Sequence, residues 1–202
     1  MQTKSSVRLH KLTVTAMLSA VATVLMFLDF SVPFMPGFIK LDVSELPALL
    51  AAFALGPIPG AAVCLIKNLF NLIFHGTTGG IGELCNFLIG AALVVPAGII
   101  YRRHRNRRGA LIGAAVGAVC MALLSVPINY FITYPMYVNL YGMPLDAIIG
   151  MYQAILPGIN GLLPCLLVFN MPFTLLKGAL DALIAFLIYK PLSPVLHGRK
   201  HS

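Results

Sequence analysis

Arg102-Arg103-His104-Arg105-Asn106-Arg107-Arg108 decides the fold of this chain. Five arginines in seven positions lie between two long apolar stretches, roughly Leu84 to Tyr101 and Ala110 to Phe131. Each stretch is long enough to span a hydrocarbon core of about 30 Å at about 1.5 Å per residue. A short loop this cationic is held on the cytoplasmic side of a membrane, because Lys/Arg-rich short loops are not carried across. The sequence therefore predicts an all-α integral membrane protein whose topology is read outward from this loop.

Composition agrees. Of 202 residues, 59% are hydrophobic and only 10% charged, and the mean hydropathy is +0.91. Soluble domains carry about 25% charged residues, so lipid must be the solvent for much of this surface. A single transmembrane bundle over 1–202 is expected, with six helices at about 9–30, 46–55, 61–74, 83–101, 110–132 and 172–189. The turn Gly56-Pro57-Ile58-Pro59-Gly60 stops the second and lets the third begin. An even count puts both termini on the cytoplasmic side with the arginine loop. Three basic clusters then share one face: Lys4, Arg8 and Lys11; the arginine loop; and Lys190, Arg199 and Lys200. The outward connections, 31–45, 75–82 and 133–171, contain a single Lys/Arg, Lys40. The first and last of these are long and semi-apolar. They are expected to fold back over the outer end of the bundle as a lid above a cavity.

The net charge of +8 does not point to nucleic acid, because the basic residues flank apolar segments and read as topology and headgroup signals. Cys64, Cys85, Cys120 and Cys165 occur singly in apolar surroundings, which favours neither disulfides nor metal. There is no G-x-x-x-x-G-K-[ST] and no H-E-x-x-H. No catalytic residue and no metal ligand is predicted, and a ligand-binding membrane protein fits better than an enzyme.

Ionisable side chains at membrane depth cost about 2.5–3.5 kcal/mol each on insertion scales, so each needs a partner or a polar cavity. Lys67, Glu83, Lys177 and Asp181 are such groups, with Asp29 near the outer end of the first helix. Lys177 and Asp181, four apart, either pair with each other or leave Lys177 free to face a ligand. Lys67 has Glu83 as a candidate packing partner. Asn129 follows Pro127 in a broken helix, a common way to build a transport site, although a helix-packing hydrogen bond is the simpler use. Ala16 and Ala20 share one face of the first helix, and Gly109, Gly113 and Gly117 one face of the fifth. Such faces serve packing within the chain or docking to another membrane subunit.

Three stretches carry a family resemblance: Phe38-Ile39-Lys40-Leu41-Asp42-Val43-Ser44-Glu45-Leu46-Pro47-Ala48, Pro127-Ile128-Asn129-Tyr130-Phe131 and Pro172-Phe173-Thr174-Leu175-Leu176-Lys177-Gly178. With its length and six segments, the chain resembles the S-components of energy-coupling factor (ECF) vitamin importers, most closely the riboflavin-specific type. The resemblance implies a bacterial cell-membrane protein that binds its vitamin at the outer end of the bundle. Its implied partners are a coupling membrane subunit and two ATPases. It implies no cofactor; riboflavin is the transported ligand, and whether FMN also binds is left open. Leu41, Asp42 and Val43 correspond to loop backbone that contacts the flavin. Asn129 and Lys177 correspond to polar ligand contacts, and Thr174 stands where riboflavin binders often carry Asn. Ala16 and Ala20 match the A-x-x-x-A face that meets the coupling subunit. A flat ring with an uncharged polyol calls for a mostly apolar site with a few convergent polar groups. Phe34, Phe38, Tyr130 and Phe173 are the candidates to pack on the ring. The competing readings are an S-component for another vitamin and an ion-coupled secondary transporter.

Overall fold

Polar residues inside an apolar helix must find partners without water. The first helix, α1 (Lys4–Phe27), shows how: the hydroxyls of Thr13, Thr15, Ser19 and Thr23 each donate to the carbonyl four residues back, at 2.8–3.0 Å. A computed structural model of the chain describes residues 4–37, 39–76 and 79–197. Phe38, Arg199 and Lys200 lie outside the described residues.

Helix α1 stops before Asp29, and the chain turns into a short hairpin in which β1 (Phe30–Ser31) pairs antiparallel with β2 (Lys40–Leu41). This two-residue pair is the departure from an all-α chain. Asp29 and Lys40 close its base with an ion pair at 2.9 Å, half exposed and so worth at most about 1 kcal/mol. At the tip, Met35 N–H donates to the Val32 carbonyl at 3.2 Å, and Phe34 sits at φ +67°. That is the third position of a turn with proline at the second, where glycine usually supplies the positive φ.

Helix α2 (Glu45–Leu55) has eleven residues, about 16 Å at 1.5 Å per residue. It is too short to cross a bilayer alone, and it is apolar all round because it is enclosed: Glu45 to Phe53 are all buried. Helix α3 (Pro57–His75) starts at Pro57, four residues before the expected 61, because proline suits the first helical position. Helix α4 (Ile81–Arg103) and helix α5 (Arg107–Ile128) take up four of the five clustered arginines, leaving 104–106 as the turn, where the Asn106 side chain accepts from Gly109 N–H at 2.7 Å. The glycine stripe of α5 packs within the chain. A Cβ on Gly117 would lie 2.3 Å from the Leu93 carbonyl oxygen, and one on Gly113 2.8 Å from that of Ala97. The backbones of α4 and α5 meet too closely there for any side chain.

The expected end of the fifth helix at 132 and start of the sixth at 172 are both corrected. Beyond α5 the chain passes through one π turn, Asn129–Thr133, into α6 (Tyr134–Tyr141), giving a continuous apolar helix Arg107–Leu140. After α7 (Leu145–Gln153), the short α8 (Leu162–Cys165) passes through a second π turn, Leu166–Asn170, into α9 (Met171–His197). Both π turns lie between prolines in the same frame, Pro127 with Pro135 and Pro164 with Pro172. A proline ring clashes with the carbonyl four residues back. The wide turn relieves this, and Tyr134 and Met171 donate instead to carbonyls five residues back, on Asn129 and Leu166. Among the described residues, five helices are long and apolar enough to cross a membrane.

Two apolar cores result. One joins α2, α3, α4, α5 and α9 through Leu49, Val63, Leu93, Met121 and Ala185. The other gathers Tyr134, Ile148, Tyr152 and Leu166 at the end opposite the arginine loop.

Candidate ligand-binding site

The Asp42-Val43-Ser44-Glu45 segment folds on itself before α2 begins. Ser44 N–H donates to Asp42 Oδ1 at 2.9 Å, an Asx turn, and the Ser44 hydroxyl donates to the same oxygen. This turn delivers two carboxylates into the bundle, where two lysines meet them. Lys177 of α9 lies 2.8 Å from Asp42 Oδ2 and 3.4 Å from Glu45 Oε2. Lys67 of α3 lies 2.8 Å from Glu45 Oε1, as an ion pair without an aligned hydrogen bond, and donates to the Ser44 hydroxyl. Two cations and two anions cancel, as charges taken out of water must. Burial alone would raise the Asp42 carboxyl, but Lys177 and Lys67 outweigh it and hold the group well below the usual carboxylate range.

These partners differ from those read in the sequence. Lys177 is ion-paired with the first connection, while Asp181, one turn further along α9, is fully buried with both oxygens lacking a hydrogen-bond donor. The ion pair of Lys67 is with Glu45, and Glu83 receives the Asn71 amide at 3.1 Å. By sequence Glu45 belongs to the first outer connection, and nothing in its immediate neighbours shows that it is buried.

Beside the ion pairs lies a cavity of about 220 Å³, at the end of the bundle opposite the arginine loop. Asn129 from the first π turn, with Thr174 and Lys177 from α9, converge on it as expected. Phe173 also lines it, and the hairpin contributes Ile39 and Lys40. Sequence reasoning missed Thr133, Tyr134 and Asn170, all in the wall, and marked Asn86 only as a polar group at membrane depth without assigning it to the site. The one available signal was their position beside the two Pro-bounded breaks or at the start of α4. Asn86 is held by the Asn68 carbonyl oxygen at 3.0 Å.

Other expected residues stand elsewhere. Leu41 and Asp42 are buried and Val43 half-buried behind the wall, outside the lining itself. Tyr130 faces a second, larger groove of about 630 Å³, with Phe131, Pro135 and Leu163. Tyr134 lines both and separates them. Phe34 is almost fully exposed at the hairpin tip. Phe38 lies outside the described residues. Ala16 and Ala20 are exposed on α1. The cavity thus offers amides, hydroxyls, aromatic rings and two lysines, Lys40 and Lys177, a set that suits a flat ligand with a polar edge.

The family profile described as "ECF transporter, substrate-specific component" matches residues 10–189. The chain belongs to this family. It is thus one of the S-components, a family of membrane transporter subunits rather than enzymes. Among similar proteins is the "Riboflavin transporter RibU" of Staphylococcus aureus (strain TCH60), 32% identical over 186 residues, 92% of each chain. The "Riboflavin transporter FmnP" of Bacillus subtilis (strain 168) is 30% identical over 93% of this chain and 94% of its own. A solved structure described as "Structure and mechanism of the S component of a bacterial ECF transporter" superposes with a TM-score of 0.71 at 32% identity, covering 92% of this chain and 96% of that one.

Proposed function

We propose that this S-component binds riboflavin at the outer face of a bacterial cell membrane and hands it to an ATP-driven importer. The observation that carries the reading is the convergence of Asn129, Thr174 and Lys177 on one aromatic-walled cavity, in a chain whose full-length relatives bear riboflavin transporter names. In this reading the chain makes six passes with both termini inside, α2 being a half-length pass enclosed by the others. It performs no catalysis and needs no cofactor; Asn129, Thr174 and Lys177 bond the polar edge of the flavin while Phe173 packs on its ring. Leu41, Asp42 and Val43 back the lid, Tyr130 is a secondary contact that requires the first π turn to move, and Phe38 is a further candidate to pack on the ring. Its partners are a coupling membrane subunit, met through Ala16 and Ala20, and two ATPases.

The cavity is smaller than the usual ligand pocket of about 300–1,000 Å³. Flavin binding therefore displaces the hairpin carrying Ile39 and Lys40 and draws on Lys177. The test is direct. Protein purified from cells supplied with riboflavin is expected to be yellow, with a visible flavin band and the mass of riboflavin in the released ligand. A colourless protein that takes up no added riboflavin overturns the proposal, and the mass of any other bound vitamin identifies the competitor.

A further inference from the structure

Three polar groups close a ring that reaches from the cavity wall into the protein behind it. Tyr134 opens α6, Tyr152 sits near the end of α7 and Asn170 ends the second π turn. The two phenol oxygens are 2.6 Å apart, the Tyr152 hydroxyl donates to Asn170 Oδ1 at 2.7 Å, and Asn170 Nδ2 donates to the Tyr134 oxygen at 3.4 Å. The Tyr152 proton is committed to Asn170, so the proton between the phenols comes from Tyr134. Each member then donates to the next in one direction, an arrangement in which the bonds reinforce one another. All three side chains are buried, Tyr152 completely. Tyr134 and Asn170 line the cavity; Tyr152 stands behind them, packed on Phe169 with ring centroids 5.3 Å apart.

An amide reads differently in its two flipped orientations, donor and acceptor exchanging places. The Tyr152 proton selects one of them by requiring the oxygen of Asn170. It also takes the Tyr134 proton away from the cavity. Phenylalanine at 152 would fill the same space and supply neither constraint. Burial pushes the Tyr152 phenol above its ordinary range, so the ring keeps its protons at physiological pH.

We propose that Tyr152, outside the cavity, is a positioning residue for the ligand: through its hydroxyl it fixes the Asn170 amide and the Tyr134 phenol in the orientation that meets the bound flavin. The inference rests on the flavin-binding reading and extends it to α7, an element with no place in the cavity wall.

A double-mutant cycle on affinity tests it. Riboflavin dissociation constants are measured by quenching of flavin fluorescence for the purified full chain, for Tyr152→Phe, for Asn170→Ala and for the pair, alongside melting temperatures of the flavin-free forms. Tyr152→Phe is expected to weaken binding about tenfold, the scale of one misdirected hydrogen bond. Added to Asn170→Ala it is expected to weaken binding much less than tenfold, because the amide it acts through is gone and only the Tyr134 phenol remains for it to orient. A purely packing role would lower the melting temperature while the two effects on affinity multiply. Wild-type-like binding by Tyr152→Phe, or multiplying effects, overturns the inference. If Tyr152→Phe does not fold, Tyr134→Phe breaks the same ring, and wild-type-like riboflavin binding by that variant is equally fatal. A wild-type chain that binds no riboflavin overturns the functional reading and this inference together; flavin binding with an unaffected Tyr152→Phe overturns this inference alone.

Discussion

Lys177 has two duties, and the structure separates them. Its ammonium serves two buried carboxylates, at 2.8 Å and 3.4 Å, as well as lining the cavity. Removing one partner of a buried charge cluster costs about 3–5 kcal/mol, so Lys177→Ala is expected to lower the melting temperature sharply and to lose flavin affinity with it. Asn129 has no ion to neutralise. Asn129→Ala is expected to keep its melting temperature within a few degrees while riboflavin binding weakens about tenfold; unchanged binding would remove Asn129 from the site. Both residues were legible in the sequence, because a polar side chain in an apolar helix is conspicuous and the family resemblance singled them out. Glu45 was not legible. In Lys40-Leu41-Asp42-Val43-Ser44-Glu45 the charges look like a solvated connection, and only the enclosure of α2 by its neighbours turns two of them into an internal ion cluster. Tyr152 and Asn170 were hidden for a related reason. In a connection near the membrane surface such residues read as interfacial, and their bonds to each other exist only after α7 docks.

At the scale of elements, apolar runs and their Gly/Pro stops located α2 and α3 to within a few residues. The same logic failed at Pro135 and Pro172. Proline reads as a helix end, yet here each is absorbed by a π turn, and the helix continues as α6 or has already begun as α8. A wide turn depends on neighbours that tolerate its bulge, which local sequence does not encode. The stripe of Gly113 and Gly117 was visible, but its partner was not; it proves to be α4. Gly117→Ala is expected to push α4 and α5 apart, since the added carbon would meet the Leu93 carbonyl at 2.3 Å. Overpacking of this kind costs about 1–3 kcal/mol, readable as a lower melting temperature. A variant that melts like the wild type would show that the two backbones do not approach so closely.

At the scale of the molecule, α1 is the edge of the bundle. Ala16 and Ala20 are exposed on it, flanked by exposed Leu12, Met17 and Val24. Leucine at both alanine positions is expected to leave riboflavin affinity intact while uptake by cells carrying the importer falls severalfold; normal uptake would place the docking face elsewhere. The ion cluster has a consequence for how such a chain is made. Asp42 and Lys177 are 135 residues apart. At about 5–20 residues per second, a ribosome emits the second roughly 7–27 s after the first. From the emergence of Lys67 until Lys177 follows, the nascent chain holds two acids of this cluster, Asp42 and Glu45, against the single positive charge of Lys67. The final helix is thus the latch of biosynthesis, and a polypeptide halted before it carries an unbalanced charge that membrane quality control can recognise.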